Sequence, residues 1–465
     1  MGGRWQHGPM DRQTSNISFG GGVNNGVVAT KIAPEQSPDE SGWVLDTNYP
    51  ALVPIPGRSA LGSVLSGTPR MLAEYHNSIF IRANGGTIQR WTGSSWSNIA
   101  TGLSDTDWNW VNFEVEGDRV IIFTNGVDNV KSWDGSAFSD LSEDAPKGKF
   151  ITTDNLRVWI AKDDVLHFSA QLKADDWTSA RNSGFIQFYT PQGGDITALI
   201  RYSNRIVAFK SDAMSEIHGE SFYDLELVDI SMNIGCVNSK TIQEVQGYLL
   251  WLSETNVCIY TGGRPKEVGD NIKGFLSRIN WAHIDKCFSG TDGRNYYLGL
   301  VTDNDTEPRT ILGFDPKKGI WRVFSKDRYY RQSYLFNNEW YMTSTDGNTY
   351  LISGVTEALN QSEYIIGPRD EGVPQTEKEY YAIHIQGYIP EGSGLEVYVS
   401  RSERGDNFDL VDTVEGWNDD SQSSDIIVPL DGVMPSHWFR VKLVLTGPGI
   451  IYGAQLEFDV YPVQI

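Results

Sequence analysis

Short apolar stretches recur along the middle of the chain at a nearly constant spacing. Each has four to six residues, is rich in β-branched and aromatic side chains, and in most cases follows a turn containing Asn, Asp or Gly. Such runs predict β-strands, and continuous apolar character predicts strands that are buried on both faces. Seven copies, beginning about 37 to 49 residues apart, are 78–82, 119–124, 156–161, 205–210, 248–252, 296–301 and 340–343.

A twelve-residue cassette occurs twice within this repeat. Residues 88–99 and 130–141 align without a gap and share two aromatic positions on either side of a glycine. Gly93 and Gly135 supply the positive φ that a tight turn needs, and the aromatic residues flank that turn on two strands. The cassette therefore predicts a β-hairpin in each copy.

A β unit that recurs every forty-odd residues is typical of a radial array of sheets. One such sheet cannot bury both of its faces, so the units must stack around an axis. We predict an all-β fold, namely a β-propeller of about seven blades; a solenoid or two β-sandwiches are the competing folds. The predicted segments are an extended N-terminal arm at 1–65, the propeller at 66–358, a linker at 359–378 and a C-terminal β-sandwich at 379–465.

The two ends of the chain differ from its middle. Residues 1–65 keep neither a period of 2 nor one of 3.6, and their prolines and glycines predict an extended path against the body or a neighbouring subunit. We expect deletion of residues 1–60 to leave the propeller folded but to abolish assembly. Residues 379–465 alternate apolar and polar positions, which is typical of a small antiparallel sandwich.

The net charge of −22 bears on which partners the protein can bind. Tight DNA binding needs a basic surface that neutralises phosphates, so the charge argues against it. A weakly repelling wall is compatible with a channel through which DNA slides. Three cysteines indicate a reducing compartment rather than a disulfide framework, and no apolar run is long enough to cross a bilayer. The N-terminus also has no apolar stretch typical of a secretory signal.

The sequence contains no motif for catalysis or for cofactor binding, so we predict no enzyme activity, no catalytic residue, no cofactor and no metal site. Asp303 and Asp305 alternate as calcium ligands do, but the loop lacks the glycine and the distal glutamate of an EF-hand. A solvated hairpin tip is the favoured interpretation. The many acidic residues leave a glycosidase carboxylate pair open, although nothing indicates one.

Short motifs at the start and in the middle of the chain resemble one known family. They resemble the β-propeller tail proteins of short-tailed bacteriophages, the packaged-DNA stabilisation and tail-nozzle proteins, as does the order of propeller and sandwich. The motifs are 19–24, 34–40, Asn48 and 56–58 in the arm, followed by 194–199, 209–210 and 217–219.

The resemblance implies a structural virion protein of the phage tail that is made in the cytoplasm of the bacterial host. Such proteins form a homo-oligomeric ring, usually a hexamer, below the portal and adaptor rings, complete the head and form part of the DNA ejection channel. The implied partners are the portal or adaptor protein and other tail proteins such as spike, fibre or needle. Double-stranded DNA would pass through the lumen without specific binding, and no membrane insertion is implied.

The alternative function is a carbohydrate- or receptor-binding propeller of the adhesin or lectin type. Its sugars would stack on exposed aromatic rings, for which Trp91, Trp96, Trp108 and Trp110 are the candidates. Packing within the core is the simpler role for the same rings.

Overall fold

The computed structural model describes residues 12–404, 407–417 and 424–461. The first eleven residues of the predicted arm lie outside these ranges. Within them the chain is all-β, as predicted, and no helix is long and apolar enough to cross a membrane. The short helical segments are Ala29–Lys31, Ser239–Thr241, Asp270–Ile272, Lys273–Leu276 and Trp281–Lys286.

Residues 12–60, here called the strap, contain only short strands. They are β1 (Gln13–Ile17), β2 (Gly22–Val23), β3 (Gln36–Ser37), β4 (Glu40–Ser41), β5 (Trp43–Val44), β6 (Val53–Pro54) and β7 (Arg58–Ala60).

After the strap, the described chain forms seven four-stranded antiparallel sheets, numbered 1 to 7 in chain order. In sheets 1 to 6, four consecutive strands pair in sequence order. Sheets 1 to 3 contain β8 (Met71–Tyr75), β9 (Ile79–Asn84), β10 (Thr87–Trp91), β11 (Trp96–Thr101); β12 (Asn109–Val115), β13 (Asp118–Thr124), β14 (Lys131–Trp133), β15 (Phe138–Asp140); and β16 (Phe150–Asp154), β17 (Arg157–Lys162), β18 (Val165–Phe168), β19 (Gly184–Gln187).

Sheets 4 to 6 contain β20 (Ala198–Tyr202), β21 (Arg205–Phe209), β22 (Met214–His218), β23 (Glu226–Ser231); β24 (Gln243–Val245), β25 (Tyr248–Leu252), β26 (Val257–Tyr260), β27 (Lys266–Glu267); and β28 (Phe288–Thr291), β29 (Tyr296–Leu300), β30 (Thr310–Asp315), β31 (Ile320–Ser325). Sheet 7 differs, because its fourth strand is β7 of the strap. Its other strands are β32 (Tyr330–Phe336), β33 (Glu339–Ser344) and β34 (Thr349–Ile352).

The predicted strands coincide with the second strand of each sheet, and the two cassettes form the predicted hairpins. Trp91 pairs with Trp96 across a turn in which Gly93 has φ 93°, and Trp133 pairs with Phe138 across a turn in which Gly135 has φ 95°. Second strands were easy to predict because they are central in their sheets, so that both faces are covered.

The apolar core lies between the sheets. Each pair of consecutive sheets encloses its own cluster of buried side chains, and a further cluster joins sheet 7 to sheet 1. In β25, Leu249 and Trp251 face sheet 4 while Leu250 faces sheet 6. This explains apolar runs without polar alternation, since each side chain of the strand meets one neighbouring sheet or the other. Strand β32 of sheet 7 lies beside β8 of sheet 1, so the arrangement is propeller-like.

A buried carboxylate connects sheets 4 and 5. Glu216 of β22 accepts hydrogen bonds from Tyr260 of β26 at 2.7 Å and from Arg205 at 2.9 Å, and lies 3.0 Å from Nε2 of His218. Burial alone would raise the pKa of Glu216, but these three partners together hold it below its ordinary value.

We expect Glu216→Gln to lower the free energy of unfolding at pH 7 by about 1.5–3 kcal/mol, because bonds to a charged group are lost. A depressed folded-state pKa means that the ionised carboxylate stabilises the fold above the unfolded-state pKa, and that this contribution disappears as the pH falls through the folded-state value. Urea unfolding of both proteins between pH 7 and pH 3 should therefore show a difference that narrows toward low pH. A difference independent of pH would contradict the assignment.

The C-terminal strands form two sheets that share one cluster of buried side chains, and this part is here called the sandwich. Its strands are β35 (Gln361–Arg369), β36 (Lys378–Tyr388), β37 (Gly394–Ser400), β38 (Asp409–Glu415), β39 (Ser424–Pro429), β40 (Phe439–Thr446) and β41 (Ile450–Val460). One sheet has the order β1-β41-β36-β39 and the other the order β38-β37-β40-β35-β4. Both sheets thus take an edge strand from the strap.

The strap crosses between the two parts of the molecule several times. Phe19 and Trp43 lie in the sandwich core, Val23 lies in the core between sheets 5 and 6, and Ile55 lies between sheets 6 and 7. All four side chains are at most 1% exposed. The strap therefore belongs to the cores of both parts of the molecule.

Two predicted boundaries differ from the structure. The predicted arm, 1–65, includes the strand that completes sheet 7 as well as edge strands of the sandwich, and the predicted linker, 359–378, contains the nine-residue strand β35. Strands of two or three residues have no measurable period, and the Gly367-Pro368 pair within β35 reads locally as a turn.

Candidate functional site

A cavity of about 770 Å³, here called the hub cavity, lies where the first strands of the sheets begin. Segments that precede or open β8, β12, β16, β20, β24, β28 and β32 all contribute to its wall. The wall is strongly charged. Its ionisable side chains are Arg70, Lys147, Lys149, Lys162, Lys240, Arg331, Asp107, Asp163, Asp195 and Asp285.

A salt bridge crosses the hub cavity. Lys240, which precedes sheet 5, places Nζ 2.8 Å from Oδ2 of Asp107, which precedes sheet 2. Arg70, beside sheet 1, lies 3.5 Å from the other oxygen of Asp107 and 2.7 Å from Asp105. The Lys240–Asp107 pair joins sheets that are far apart in chain order, whereas Arg70 links the neighbouring sheets 1 and 2. The volume of the cavity is in the range of small-molecule sites.

A second ionic group includes Arg331 of the hub-cavity wall. Glu307 accepts two hydrogen bonds from Arg331, both at 2.8 Å, and one from Lys286 at 2.9 Å. Burial alone would raise the pKa of Glu307, but the two cations hold it below its ordinary value. The group joins the loops of sheet 6 to the first strand of sheet 7.

The seam between the strap and sheet 6 contains a fully buried ion pair. Glu40 of β4 accepts a bond from Arg322 of β31 at 2.8 Å and one from the backbone N–H of Val323 at 3.1 Å. The two ionic side chains are at most 1% exposed. Arg322 also donates to the carbonyl of Phe19. Burial raises the pKa of the Glu40 carboxyl, and the Arg322 guanidinium opposes that shift.

The same seam explains one glycine of the predicted arm. Gly22 has φ +66°, and a Cβ atom there would lie 2.1 Å from the carbonyl oxygen of Trp321. Only glycine allows the strap to approach β31 this closely. The strap thereby covers the outer edge of sheet 6, which would otherwise offer unpaired backbone groups.

Asp303 and Asp305 lie apart from the hub cavity, whereas Trp108 and Trp110 form part of its wall. Asp303 faces Arg278 at 3.6 Å, and the described residues contain no group of three potential metal ligands. Asp305 bonds through its backbone N–H to Thr302 within the same turn. This loop is the hairpin connection between β29 and β30.

The four candidate tryptophans pack against their own chain. Trp108 is buried between sheets 1 and 2, and Trp110 donates to the carbonyl of Leu72 at 3.0 Å. Trp96 donates to the carbonyl of Leu61 at 2.8 Å, and the ring of Trp91 lies against it at 5.2 Å. These rings contribute to packing around sheets 7, 1 and 2.

The three cysteines are buried thiols inside the cores of sheets 4 to 6. Burial raises the pKa of Cys236 to about 12 and that of Cys258 and Cys287 to about 11. At neutral pH they are protonated and serve as small apolar side chains.

Sequence reasoning missed Glu40, Lys240 and Asp107. Each lies in a polar stretch of the sequence that shows no period, and each finds its partner more than a hundred residues away. A charged residue in such a segment reads as solvated, so no local signal identified these residues.

No family model matches this chain, and no curated protein matches it significantly. Solved structures similar to it include the extracellular domain of a hybrid two-component system from B. thetaiotaomicron, at 11% identity and a TM-score of 0.46 over 70% of this chain and 43% of that one. The chain thus spans less than half the length of that domain. The computationally designed protein Ika8 is 14% identical, with a TM-score of 0.39 over 63% of this chain and 98% of that one. A catalytically inactive virginiamycin B lyase from Staphylococcus aureus is 8% identical, with a TM-score of 0.44 over 64% and 100%. These likenesses carry no conclusion about function.

Proposed function

We propose that this protein is a structural component of a phage tail. In this proposal the seven sheets form a closed seven-bladed β-propeller, and the C-terminal strands together with the strap form a β-sandwich beside it. Copies assemble as a ring, with six as the expected number, below the portal or adaptor. The ring retains packaged DNA, forms part of the ejection channel and has no enzymatic role.

The observation that carries the proposal is the route of the strap. Two domains joined by a single linker normally move relative to each other unless a large apolar interface joins them. Here one segment supplies edge strands to both sandwich sheets, completes sheet 7 and places side chains in several cores. A segment shared in this way ties the two parts of the molecule together, which suits a building block that bears the force of confined DNA.

The hub cavity further defines the proposal. Because the Asp107–Lys240 salt bridge spans the hub cavity, this proposal does not route DNA through a single subunit. The channel is therefore the space enclosed by the ring of copies. The net charge of −22 suits its wall, since a repelled polymer is not held by the surface.

We expect the purified protein to form a ring with an open centre, measured by negative-stain electron microscopy and by light scattering on a sizing column. The expected mass is six times that of the 52.0 kDa chain. Because every copy is strongly acidic, the copies repel one another, and assembly should be more complete at 0.5 M than at 0.05 M salt. The screening length of this repulsion is about 14 Å at 0.05 M salt and about 4 Å at 0.5 M salt.

A particle that stays monomeric at both salt concentrations and all protein concentrations contradicts the ring. A monomer that also binds glycans on an array supports the adhesin or lectin function instead.

A further inference from the structure

A crevice of about 540 Å³ lies between sheet 7 and the segment that leads into the sandwich. It is separate from the hub cavity and independent of the proposed function. Two arginines, one from the strap and one from the loop before sheet 7, converge there on a single carboxylate. The size is within the range of small-molecule sites, which is about 300–1,000 Å³.

The carboxylate belongs to Glu357. Its Oε1 lies 3.0 Å from Nε of Arg58, and its Oε2 lies 3.4 Å from Nη2 of Arg328. Arg328 is only 8% exposed, and its Nη1 is buried without a hydrogen-bond partner in the described structure. Nη2 of Arg328 also donates to Asn360 at 3.0 Å. The guanidinium groups are thus held in place while one donor remains unused.

Glu357 itself is less firmly held than the arginines. Its side chain is 38% exposed, and it stands in the irregular connection between β34 and β35. Arg58, in contrast, is fixed in the strand that completes sheet 7 and lies 4.8 Å from the ring of Tyr350. A carboxylate from outside can therefore take the place of Glu357 without moving either arginine.

The rest of the wall indicates what carries that carboxylate. Tyr329, 39% exposed, offers an aromatic ring, and Gln361 offers an amide group for hydroxyls. The Asn360 amide already bonds Arg328 and Ser362. Asp327 and Asp346 also line the crevice. With Glu357 displaced, two arginines balance these two aspartates, a charge that suits a ligand with one negative charge better than a phosphate.

We propose that this crevice binds a sugar acid, whose carboxylate is bound by Arg58 and Arg328, and that Glu357 occupies the carboxylate position when the ligand is absent. Glu357 is then a competitive internal ligand, and its removal increases affinity. A purely structural ion pair predicts a different result. Removing Glu357 would then leave the two arginines without a counter-charge, and the variant would not bind the sugar acid.

The test is calorimetric titration of the full chain with D-glucuronate, D-glucose and inorganic phosphate. We expect Glu357→Gln to bind glucuronate at least about tenfold more tightly than the unchanged chain, with glucose and phosphate binding more weakly in both. Adding Arg58→Gln should abolish the gain. Glu363→Gln is the matched control, because it removes a carboxylate from another partly exposed ion pair, with Lys442, outside the crevice.

Thermal unfolding establishes that each variant is folded, and Arg58→Gln alone, which should weaken glucuronate binding, is the second measurement. Unchanged glucuronate affinity in Glu357→Gln overturns the internal-ligand role. Glucose binding as tightly as glucuronate overturns the carboxylate requirement. Tighter phosphate binding assigns the arginine pair to general anion binding and overturns the sugar acid.

Discussion

Replacing Arg322 with alanine is expected to reduce the free energy of unfolding by about 3–5 kcal/mol, because the fully buried Glu40 carboxylate loses its cation. The substitution also removes a donor to the carbonyl of Phe19 in the strap. Urea unfolding followed by tryptophan fluorescence measures the loss. Glu40→Ala should cost a similar amount, and the double variant should cost less than the sum of the two.

The matched control is Arg201→Ala. Arg201 pairs with Asp154 at 3.4 Å, but its side chain is 51% exposed, and surface pairs contribute about 0–1 kcal/mol. Equal losses for Arg322→Ala and Arg201→Ala would show that the seam between strap and sheet 6 is not the ionic anchor that its burial indicates.

Deleting residues 1–60 is expected to unfold the protein rather than leave an assembly-deficient propeller. Sequence analysis predicted the second outcome, because the arm read as an appendage. The structure supports the first, since the deletion removes β7 from sheet 7, β1 and β4 from the sandwich, and several buried apolar side chains. The buried side chains of residues 12–60 include Ile17, Phe19, Val23, Trp43, Leu45, Leu52 and Ile55.

Each large apolar side chain of this set contributes about 1.5–3 kcal/mol by burial. Their sum is comparable to the whole stability of a typical domain, about 5–15 kcal/mol. Sizing chromatography, limited proteolysis and urea unfolding would detect the loss. The Arg201→Ala variant, which keeps the whole strap, is the control. A monomer lacking residues 1–60 that unfolds as cooperatively as the full chain would contradict the role given to the strap.

The strap shows where prediction from sequence reached its limit. Residues 88–99 predicted a hairpin because the turn glycine and its flanking aromatics are neighbours in the chain. The second strands were predicted from their continuous apolar runs, which reflect the burial of both faces. Strands such as β2 and β4 have two residues each. Strand β4 pairs with β35, and Val23 of β2 packs in the core between sheets 5 and 6, so both depend on residues hundreds of positions away. Nothing in a local window records such a partner.

The candidate sites were still less visible. Glu40, Lys240 and Glu357 are charged residues in polar stretches of the sequence that show no period, where solvation is the ordinary expectation. Glu40 became a buried anchor only because Arg322 of sheet 6 lies opposite it, and Glu357 became an internal ligand only because the strap brings Arg58 beside Arg328. The tryptophans were candidates for sugar binding in the sequence but pack against their own chain in the structure. An aromatic residue looks the same in sequence in either role.

By itself the sequence determined the all-β class, the recurring unit and the central strand of each sheet. These features depend on hydrophobic runs and turn residues within one short stretch, which act before distant parts of the chain meet. Only the tertiary structure decided that the N-terminal residues complete sheet 7 and both layers of the sandwich, that a salt bridge crosses the hub cavity, and that two arginines meet at Glu357. Those contacts join residues remote in the chain, and they form only where folding brings different sheets together.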